Sequence, residues 1–333
     1  MADKFRWGII GPGNIAKAFA TGLTVVEGAE IVAVGGRNMD KVNAFADEFG
    51  PNAKRYNSYK EVAEDPSVDA VYIAALNPFH FENIMLCIEN GKAVLCEKPM
   101  CLNYSQAQKA VAAARAKKVF LMEAIWSRFL PIYDTVHEWI RDGKIGEIRM
   151  AQANLGFNAP WKDGDRHIAP ELGGGSIMDV GVYNLAFLRD VIGAEPVKVQ
   201  STAVLGATGV DYRTWATLEY PGGVLASATT SIDTDMPQDG WIYGSKATIH
   251  LKNYWRTTSA ALIPPWHSKE EPTVVEAGWL KNGYEYEAME VQKQVRAGNT
   301  ESPRMPLDES LAFAKTIQEM RDNWGVKFPG EEA

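Results

Sequence analysis

The sequence predicts an α/β protein with two domains: a dinucleotide-binding Rossmann domain over residues 1–123, and an α+β domain over residues 124–333 with a large, mostly antiparallel open sheet. Short apolar runs alternate with helical patterns in the first third, as parallel strands covered on both faces do. A glycine-rich turn follows the first of these runs. Beyond residue 196, strand patterns follow one another across glycine-containing turns, which is typical of antiparallel sheets.

Composition and charge narrow the class of protein. With 333 residues and 46% hydrophobic content, the chain can bury a large core. Its formal net charge of −8, with both signs interspersed, argues against nucleic acid or an anionic membrane as a partner. Cys87, Cys96 and Cys101 are odd in number and lack metal-ligand spacing, so we expect reduced thiols in a cytoplasmic protein and no metal site. No segment has the pattern of a signal peptide or a membrane span.

The first predicted strand, Phe5 to Ile10, leads into a glycine-rich turn and then a helix. Gly11 permits a tight turn, Gly13 lets the backbone approach a pyrophosphate, and Ala16 lets the helix pack closely on the strand. The helix N-terminus offers unpaired N–H groups and the positive end of its dipole to phosphates. We therefore expect a dinucleotide to bind at Gly11, Gly13, Asn14, Ile15 and Ala16.

The end of the second predicted strand, Glu30 to Val34, indicates which dinucleotide binds. An NAD site usually places a carboxylate there to bond the ribose 2′-hydroxyl. This chain has Gly35-Gly36-Arg37-Asn38 instead. A carboxylate would repel the 2′-phosphate of NADP, whereas a guanidinium binds it with two parallel hydrogen bonds. Arg37 therefore favours NADP, with NAD as the alternative, and Asn38 is expected to cap the next helix.

A lysine stands where a buried strand ends. The run Ala93 to Cys96 is apolar without alternation, and Glu97-Lys98-Pro99 follows it. Ligands of open α/β sheets bind at the carboxyl ends of strands, and Pro99 restricts the backbone of Lys98. A lysine presented there can donate to a hydroxyl that is being oxidised or take its proton. A solvated lysine in a strand-to-loop turn is the alternative.

Three motifs at these separations, Gly11-x-Gly13-x-x-Ala16, Asn77-Pro-Phe-His80 and Glu97-Lys98-Pro99, resemble the glucose-fructose oxidoreductase / inositol dehydrogenase (Gfo/Idh/MocA) family. The resemblance implies a Rossmann domain, a cis Lys98–Pro99 bond and a lysine that lines the nicotinamide site. It also places Asn77, His80 and Glu97 in the cofactor site, although His80 at a helix start equally suits a structural role. The chain departs from the family pattern at Ala75-Leu76, where Thr-Pro is common, and at Gly36, where NADP-using relatives often have serine.

A second chemical stretch begins at Gly173-Gly-Gly-Ser176 and continues as a predicted helix. Asp179 and Tyr183, four residues apart, share one helical face, and a solvated face is the alternative to catalysis. Gly181 between them costs about 1 kcal/mol against alanine in a helix interior, which suggests that a cofactor or substrate approaches closely. Many family members have histidine where Tyr183 stands. Tyrosine occurs in the branch that resembles dimeric dihydrodiol dehydrogenase and NADP-linked xylose dehydrogenase.

The run from Glu123 to Pro131 resembles a family segment whose aromatic residues lie beside the substrate. The resemblance implies substrate contacts for Trp126, Arg128, Phe157 and Trp161. The alternative is that Trp126 and Phe157 belong to the core between the domains.

Together with these features, the family resemblance implies an NADP-dependent oxidoreductase acting on a secondary hydroxyl or carbonyl of a cyclic polyol, a sugar or a trans-dihydrodiol. Tyr183 or Lys98 would remove the hydroxyl proton. A free tyrosine has a pKa of about 10. A cationic Lys98 and the positively charged oxidised nicotinamide would favour the phenolate form of Tyr183. Asp179 would orient the lysine or hold a second substrate hydroxyl.

Two other functions fit the same family resemblance: a non-catalytic NADP-binding sensor or regulator, and an NAD-retaining glycosidase. The predicted strands between Val197 and Leu251 should leave one broad face of a sheet open. The resemblance implies that a homodimer forms through that face.

Overall fold

The computed structural model describes residues 4–158, 161–162 and 164–331. The chain forms two compact units, one of Met1–Trp126 with Leu280–Ala314 and the other of Ser127–Trp279 with Lys315–Ala333. The sequence prediction put the boundary after residue 123 and assigned residues 280–314 to the second domain. Residues 280–314 contact the first unit directly. For example, the Asn282 side-chain amide donates a hydrogen bond to Ala18 O (2.8 Å).

The sheet of the first unit has six parallel strands in the order β3-β2-β1-β4-β5-β6. The order reverses between β1 and β4, and doubly wound sheets bind ligands at such a point. All residues of β4 and β5 are buried, in agreement with their continuous apolar runs. The bounds are Phe5–Ile10 for β1, Ala29–Gly35 for β2, Lys54–Tyr56 for β3, Ala70–Ile73 for β4, Ala93–Glu97 for β5 and Leu121–Ala124 for β6.

Both units also contain helices. Three of them begin at a side-chain cap: Asn38, Ser58 and Asn103 each accept the N–H three residues further on. Helix bounds are α1 Asn14–Leu23, α2 Met39–Phe49, α3 Tyr59–Glu64, α4 His80–Glu89, α5 Tyr104–Lys117, α6 Ile132–Arg141, α7 Val182–Ile192, α8 Glu285–Arg296 and α9 Leu307–Trp324. In the described part of the chain, none of them has the length and apolar character that a membrane crossing requires.

The core of the first unit lies between the sheet and helices α4 and α5. Ile84, Ile88 and Val111 of these helices are buried in it. Each such aliphatic side chain stabilises the fold by roughly 1.5–3 kcal/mol relative to an exposed one. Cys87, Cys96 and Cys101 are buried there as free thiols. Burial raises the pKa of Cys87 to about 12, so this thiol is inert at neutral pH.

The sheet of the second unit has eight strands in the order β14-β13-β12-β11-β7-β10-β9-β8. Neighbouring strands in this sheet are antiparallel, except that β7 and β10 are parallel. Strand β7 lies between β10 and β11, which follow each other in the chain. The short strands β13 and β14 were not predicted. The bounds are β7 Ile148–Gly156, β8 Lys198–Leu205, β9 Asp211–Glu219, β10 Leu225–Ser231, β11 Gly240–Gly244, β12 Thr248–Leu251, β13 Ser259–Ile263 and β14 Thr273–Glu276.

Helix α7 packs on one face of this sheet, where the Asn184 side-chain amide donates to Thr229 O (2.9 Å). The pairing register places a set of large side chains together on the opposite face. We call this the open face. It carries Met150, Val204, Trp215, Leu225, Trp241 and Tyr243, of which Trp215 is 58% exposed.

Candidate active site

The turn between β1 and α1 has the geometry of a phosphate-binding loop. Gly11 has φ +83°, and a Cβ atom there would lie 2.8 Å from Ala75 N. Gly13 precedes α1 without a side-chain cap, and a Cβ there would have no neighbour closer than 4.0 Å. Ala16 is fully buried. The first N–H groups of α1, from Asn14 onward, are therefore suited to a pyrophosphate.

Arg37 lies exposed just after β2. Its guanidinium carbon is 4.7 Å from the ring centroid of Phe79, which ends the short 3₁₀ turn Asn77–Phe79. A cation–π contact of this kind restricts the conformations of the arginine side chain. The Asn38 side chain accepts the N–H of Lys41 (3.1 Å), so it caps α2 as predicted.

Lys98 is half-buried, and its backbone is held between two buried carboxylates. Glu97 Oε2 accepts the Lys98 N–H (3.2 Å), and Glu123 Oε1 accepts the Met100 N–H (2.7 Å). The Lys98–Pro99 bond is cis. Glu97 ends β5, and Glu123 is the residue before the end of the neighbouring strand β6, so the parallel sheet itself sets the position of the lysine.

A third buried acid, Glu287 on α8, lies close to Glu97. Tyr72 donates to Glu97 Oε1, and both oxygens of the fully buried Glu287 on α8 have no hydrogen-bond partner among the described residues. Burial and the charge of Glu97 raise the pKa of Glu287 well above its usual range. Glu287 is therefore a neutral acid beside Glu97. Sequence reasoning missed it, because only the fold brings α8 to β5.

His80 requires a correction as a cofactor contact. Its ring is fully buried, with Nδ1 2.8 Å from Pro99 O and Nε2 2.9 Å from Ala75 O. Burial lowers the pKa of this imidazole. Each ring nitrogen faces a backbone carbonyl, and the neutral ring donates its one N–H to one of them, so the ring packs the Asn77 and Lys98 segments together, which is the structural role.

Asp179 is the centre of a charged cluster in the second unit. Asp179 Oδ1 lies 3.1 Å from Arg166 Nη1, and Oδ2 lies 3.6 Å from His167 Nε2. The other ring nitrogen of His167, Nδ1, lies 2.6 Å from Asp165 Oδ1. The sequence pattern showed only a loop rich in charged and aromatic residues here, and it did not single out Arg166 or His167.

Tyr183 is buried one turn after Asp179, on a helix that starts as a π-helical turn over Ile177–Gly181 and continues as α7. The interpretation of Gly181 as a place of ligand approach is wrong. A Cβ atom there would lie 2.5 Å from Ile177 Cδ1 and 3.3 Å from Thr230 Cγ2. The glycine makes room for the protein's own packing.

Aromatic rings lie beside two of these side chains, His167 and Tyr183. Phe157, Trp161 and His167 lie with ring centroids 5.2–6.1 Å apart. The ring of Trp255, which the sequence did not single out, lies 6.0 Å from that of Tyr183. The second unit thus combines a carboxylate, a phenol and flat apolar surfaces.

The structure places the other two predicted substrate residues differently. Arg128 is buried, donates to Ala186 O (3.2 Å) and lies 3.9 Å from Asp190, so its guanidinium is engaged within the second unit. This corrects its assignment to the substrate. Trp126 is buried in the first unit and stacks on Tyr284 at 4.6 Å, so that ring face is covered by the protein itself.

Known proteins match this chain along its length. The sequence model of an oxidoreductase family with an NAD-binding Rossmann fold matches residues 5–125, and that of a GFO/IDH/MocA C-terminal domain matches residues 133–250. A 3-ketoreductase from Actinomadura kijaniata, solved with NADP and TDP-benzene, superposes with a TM-score of 0.84 at 25% identity, over 96% of this chain and 98% of that one.

Two trans-1,2-dihydrobenzene-1,2-diol dehydrogenases are also similar. The Mus musculus protein is 38% identical and the Homo sapiens protein 35% identical, each over 98% of this chain and 99% of the relative. Identity at this level over whole chains, with matches in both domains, assigns the family. The chain belongs to the GFO/IDH/MocA family of NAD(P)-binding oxidoreductases.

Proposed function

We propose that the chain is an NADP-dependent oxidoreductase acting on a secondary hydroxyl or carbonyl of a trans-dihydrodiol, a cyclic polyol or a sugar. The observation that carries the proposal is the fixation of Lys98 between Glu97 and Glu123 at the carboxyl end of β5. The mouse and human relatives named for a dihydrodiol, and the 3-ketoreductase solved with NADP, support this class of reaction.

The residues of the first unit fit a dinucleotide. The uncapped start of α1 and the open space at Gly13 suit a pyrophosphate, and Arg37 suits a ribose 2′-phosphate. These residues would hold the cofactor, and the chemistry that its nicotinamide would supply is hydride transfer to or from the carbinol carbon. Tyr183 or Lys98 takes the hydroxyl proton in the oxidative direction. Asp179 orients one of these groups or holds a second hydroxyl.

The aromatic side chains of the second unit favour a trans-dihydrodiol among the three substrate classes. Phe157, Trp161 and Trp255 provide aromatic surfaces that suit a flat unsaturated ring. Asp179, whose carboxyl group lies 3.1 Å from Arg166, suits the second hydroxyl of a diol because a carboxylate accepts strong hydrogen bonds.

The test is NADPH absorbance in the presence of NADP and a panel of dihydrodiols, inositols, pentoses and hexoses. We expect NADPH to form, with the highest kcat/KM for a trans-dihydrodiol. Tight NADPH binding without turnover across the panel would contradict the proposal and indicate a sensor. Release of sugar from an aryl glycoside with no net change in NADPH would indicate a glycosidase.

We also propose that two copies of the chain pair through the open face. Met150, Val204, Trp215 and Leu225 lie on it and are 43–58% exposed. Several large apolar side chains at this exposure on one face of a sheet are typical of an interaction surface. Pairing of two identical faces makes a closed, self-complementary interface.

A further inference from the structure

Asp211, the first residue of β9, lies directly under the start of the helix that carries Asp179 and Tyr183. Its side chain is almost completely buried. Asp211 Oδ2 accepts two hydrogen bonds, one from the Ile177 N–H and one from the Ser176 hydroxyl, each 2.7 Å long. This carboxylate therefore caps the π-helical turn from below.

The glycine run before the turn is shaped around this carboxylate. Gly175 has φ +113°, and a Cβ atom there would lie 2.3 Å from Asp211 Oδ1. The Gly175 carbonyl in turn accepts the Asp179 N–H (3.1 Å). By bonding Ser176 and Ile177, Asp211 also holds the preceding residue, Gly175, which in turn bonds the backbone of Asp179.

A chain of buried hydroxyls points toward the same carboxylate. Ser176 Oγ lies 2.6 Å from Thr230 Oγ1, which lies 2.6 Å from Thr214 Oγ1. Because Ser176 gives its single proton to Asp211, Thr230 must donate to Ser176 and Thr214 to Thr230. The charge on Asp211 therefore orients a network that ties β9 and β10 to the start of the helix.

We propose that Asp211, in its ionised form, is the positioning residue that holds Asp179 and Tyr183 in their reactive geometry. The inference rests on the proposed function, in which these two residues act on the substrate. A charge-assisted bond is about twice as strong as a neutral one, so loss of the charge loosens the first turn of the helix without unfolding the unit.

The charge has a measurable signature. Burial raises the pKa of Asp211 from 3.8 to about 6, and the bonds from Ser176 and Ile177 and the charge of Arg321 on α9 only partly offset it. Because the folded pKa is raised, the stability contributed by the neutral form is lost as the pH rises through about 6. The ionised carboxylate weakens the fold at pH 8 while it tightens the helix start.

The experiment compares the wild type with Asp211→Asn, which keeps the shape and an acceptor but carries no charge. We expect wild-type kcat to fall about tenfold between pH 8 and pH 5 with a midpoint near 6, the effect of one charge-assisted bond. Asp211→Asn should show the lower kcat at both pH values, an unchanged KM for NADP and a higher Tm at pH 8. The control Asp322→Asn removes an exposed charge from α9 and should keep the wild-type profile.

Ser176→Ala provides a second variant. It removes a bond that lowers the pKa of Asp211, so the acid limb of kcat should move to higher pH. An acid limb that stays in place in both variants would overturn the proposal, because a merely structural Asp211 changes Tm without moving the limb.

Hydrogen exchange separates this inference from the proposed function. The backbone amides of residues 176–183 should exchange faster in Asp211→Asn than in the wild type at pH 8. If the wild type turned over no substrate but showed this difference, the proposed function would fail while the role of Asp211 in holding the helix stood. Equal exchange in the two proteins would overturn the role of Asp211 itself.

Discussion

At the scale of single residues, the contact of Arg37 with Phe79 bears on the choice between NADP and NAD. Arg37→Ala should weaken NADP binding by about 1.5–3 kcal/mol, the range for hydrogen bonds to a charged group, and leave NAD binding nearly unchanged. Calorimetric titration of both cofactors measures this. Arg55→Ala is the matched control, because that arginine bonds Asp47 and Asn43 instead. Equal losses for NADP and NAD would contradict the assignment.

Lys98 and Tyr183 are predicted to act in one proton transfer. Tyr183→Phe should leave NADP affinity intact and lower kcat by roughly 10² to 10⁴, the range for general acid–base catalysis, and Lys98→Met should do likewise. The double variant should lose much less than the product of the single losses, because groups that act as a unit are not additive. Near-normal turnover of Tyr183→Phe would leave Lys98 as the proton acceptor. Tyr220→Phe, at another buried tyrosine, should retain normal turnover.

Residues that carry local geometry were predictable from the sequence, and residues that act through tertiary contacts were not. The tight turn at Gly11 and the cap at Asn38 follow from rules that involve only near neighbours. Glu287 and Asp211 meet Glu97 and Ser176 only after distant elements have packed together. No spacing rule links such pairs, and a lone buried acid looks in sequence like any surface acid.

At the scale of elements, α8 gives a stability prediction through Glu287. Burial raises the pKa of Glu287 in the folded protein. The stability that its neutral form gives the fold is therefore fully present below about pH 4.5 and is lost as the pH rises through the folded pKa. Glu287→Gln is neutral at every pH, so it carries no buried charge beside Glu97. Its Tm advantage over the wild type should therefore grow from pH 5 to pH 8, by roughly 2–4 °C for each kcal/mol of relieved destabilisation.

Thermal unfolding followed by circular dichroism at several pH values measures this advantage. The control Glu89→Gln changes an exposed acid on α4 and should stay within about 0.5 kcal/mol of the wild type throughout. A Glu287→Gln advantage that is constant or shrinks with pH would show that the wild-type carboxyl is not kept neutral by burial.

The elements themselves differ in how far the sequence determines them. Helix α5, Tyr104–Lys117, is determined locally, because the Asn103 cap and a long helical pattern mark it in the sequence. Strands β13 and β14 were missed because they are short and partly exposed at the sheet edge, where pairing rather than pattern decides. The π-helical turn at Ile177–Gly181 carries no sequence signal of its own, and Asp211 and the packing at Gly181 define it.

At the scale of the whole molecule, the proposed pairing through the open face predicts a particle of twice the 36.7 kDa chain mass. Trp215→Glu should convert this particle to single chains, because a charge at a tightly packed interface centre is left without a partner. The control Trp266→Glu changes a tryptophan that is 96% exposed outside the open face and should leave the mass unchanged. Sedimentation at micromolar concentration measures all three proteins. A wild-type mass of one chain would rule out the homodimer, and a Trp215→Glu dimer would move the interface away from the open face.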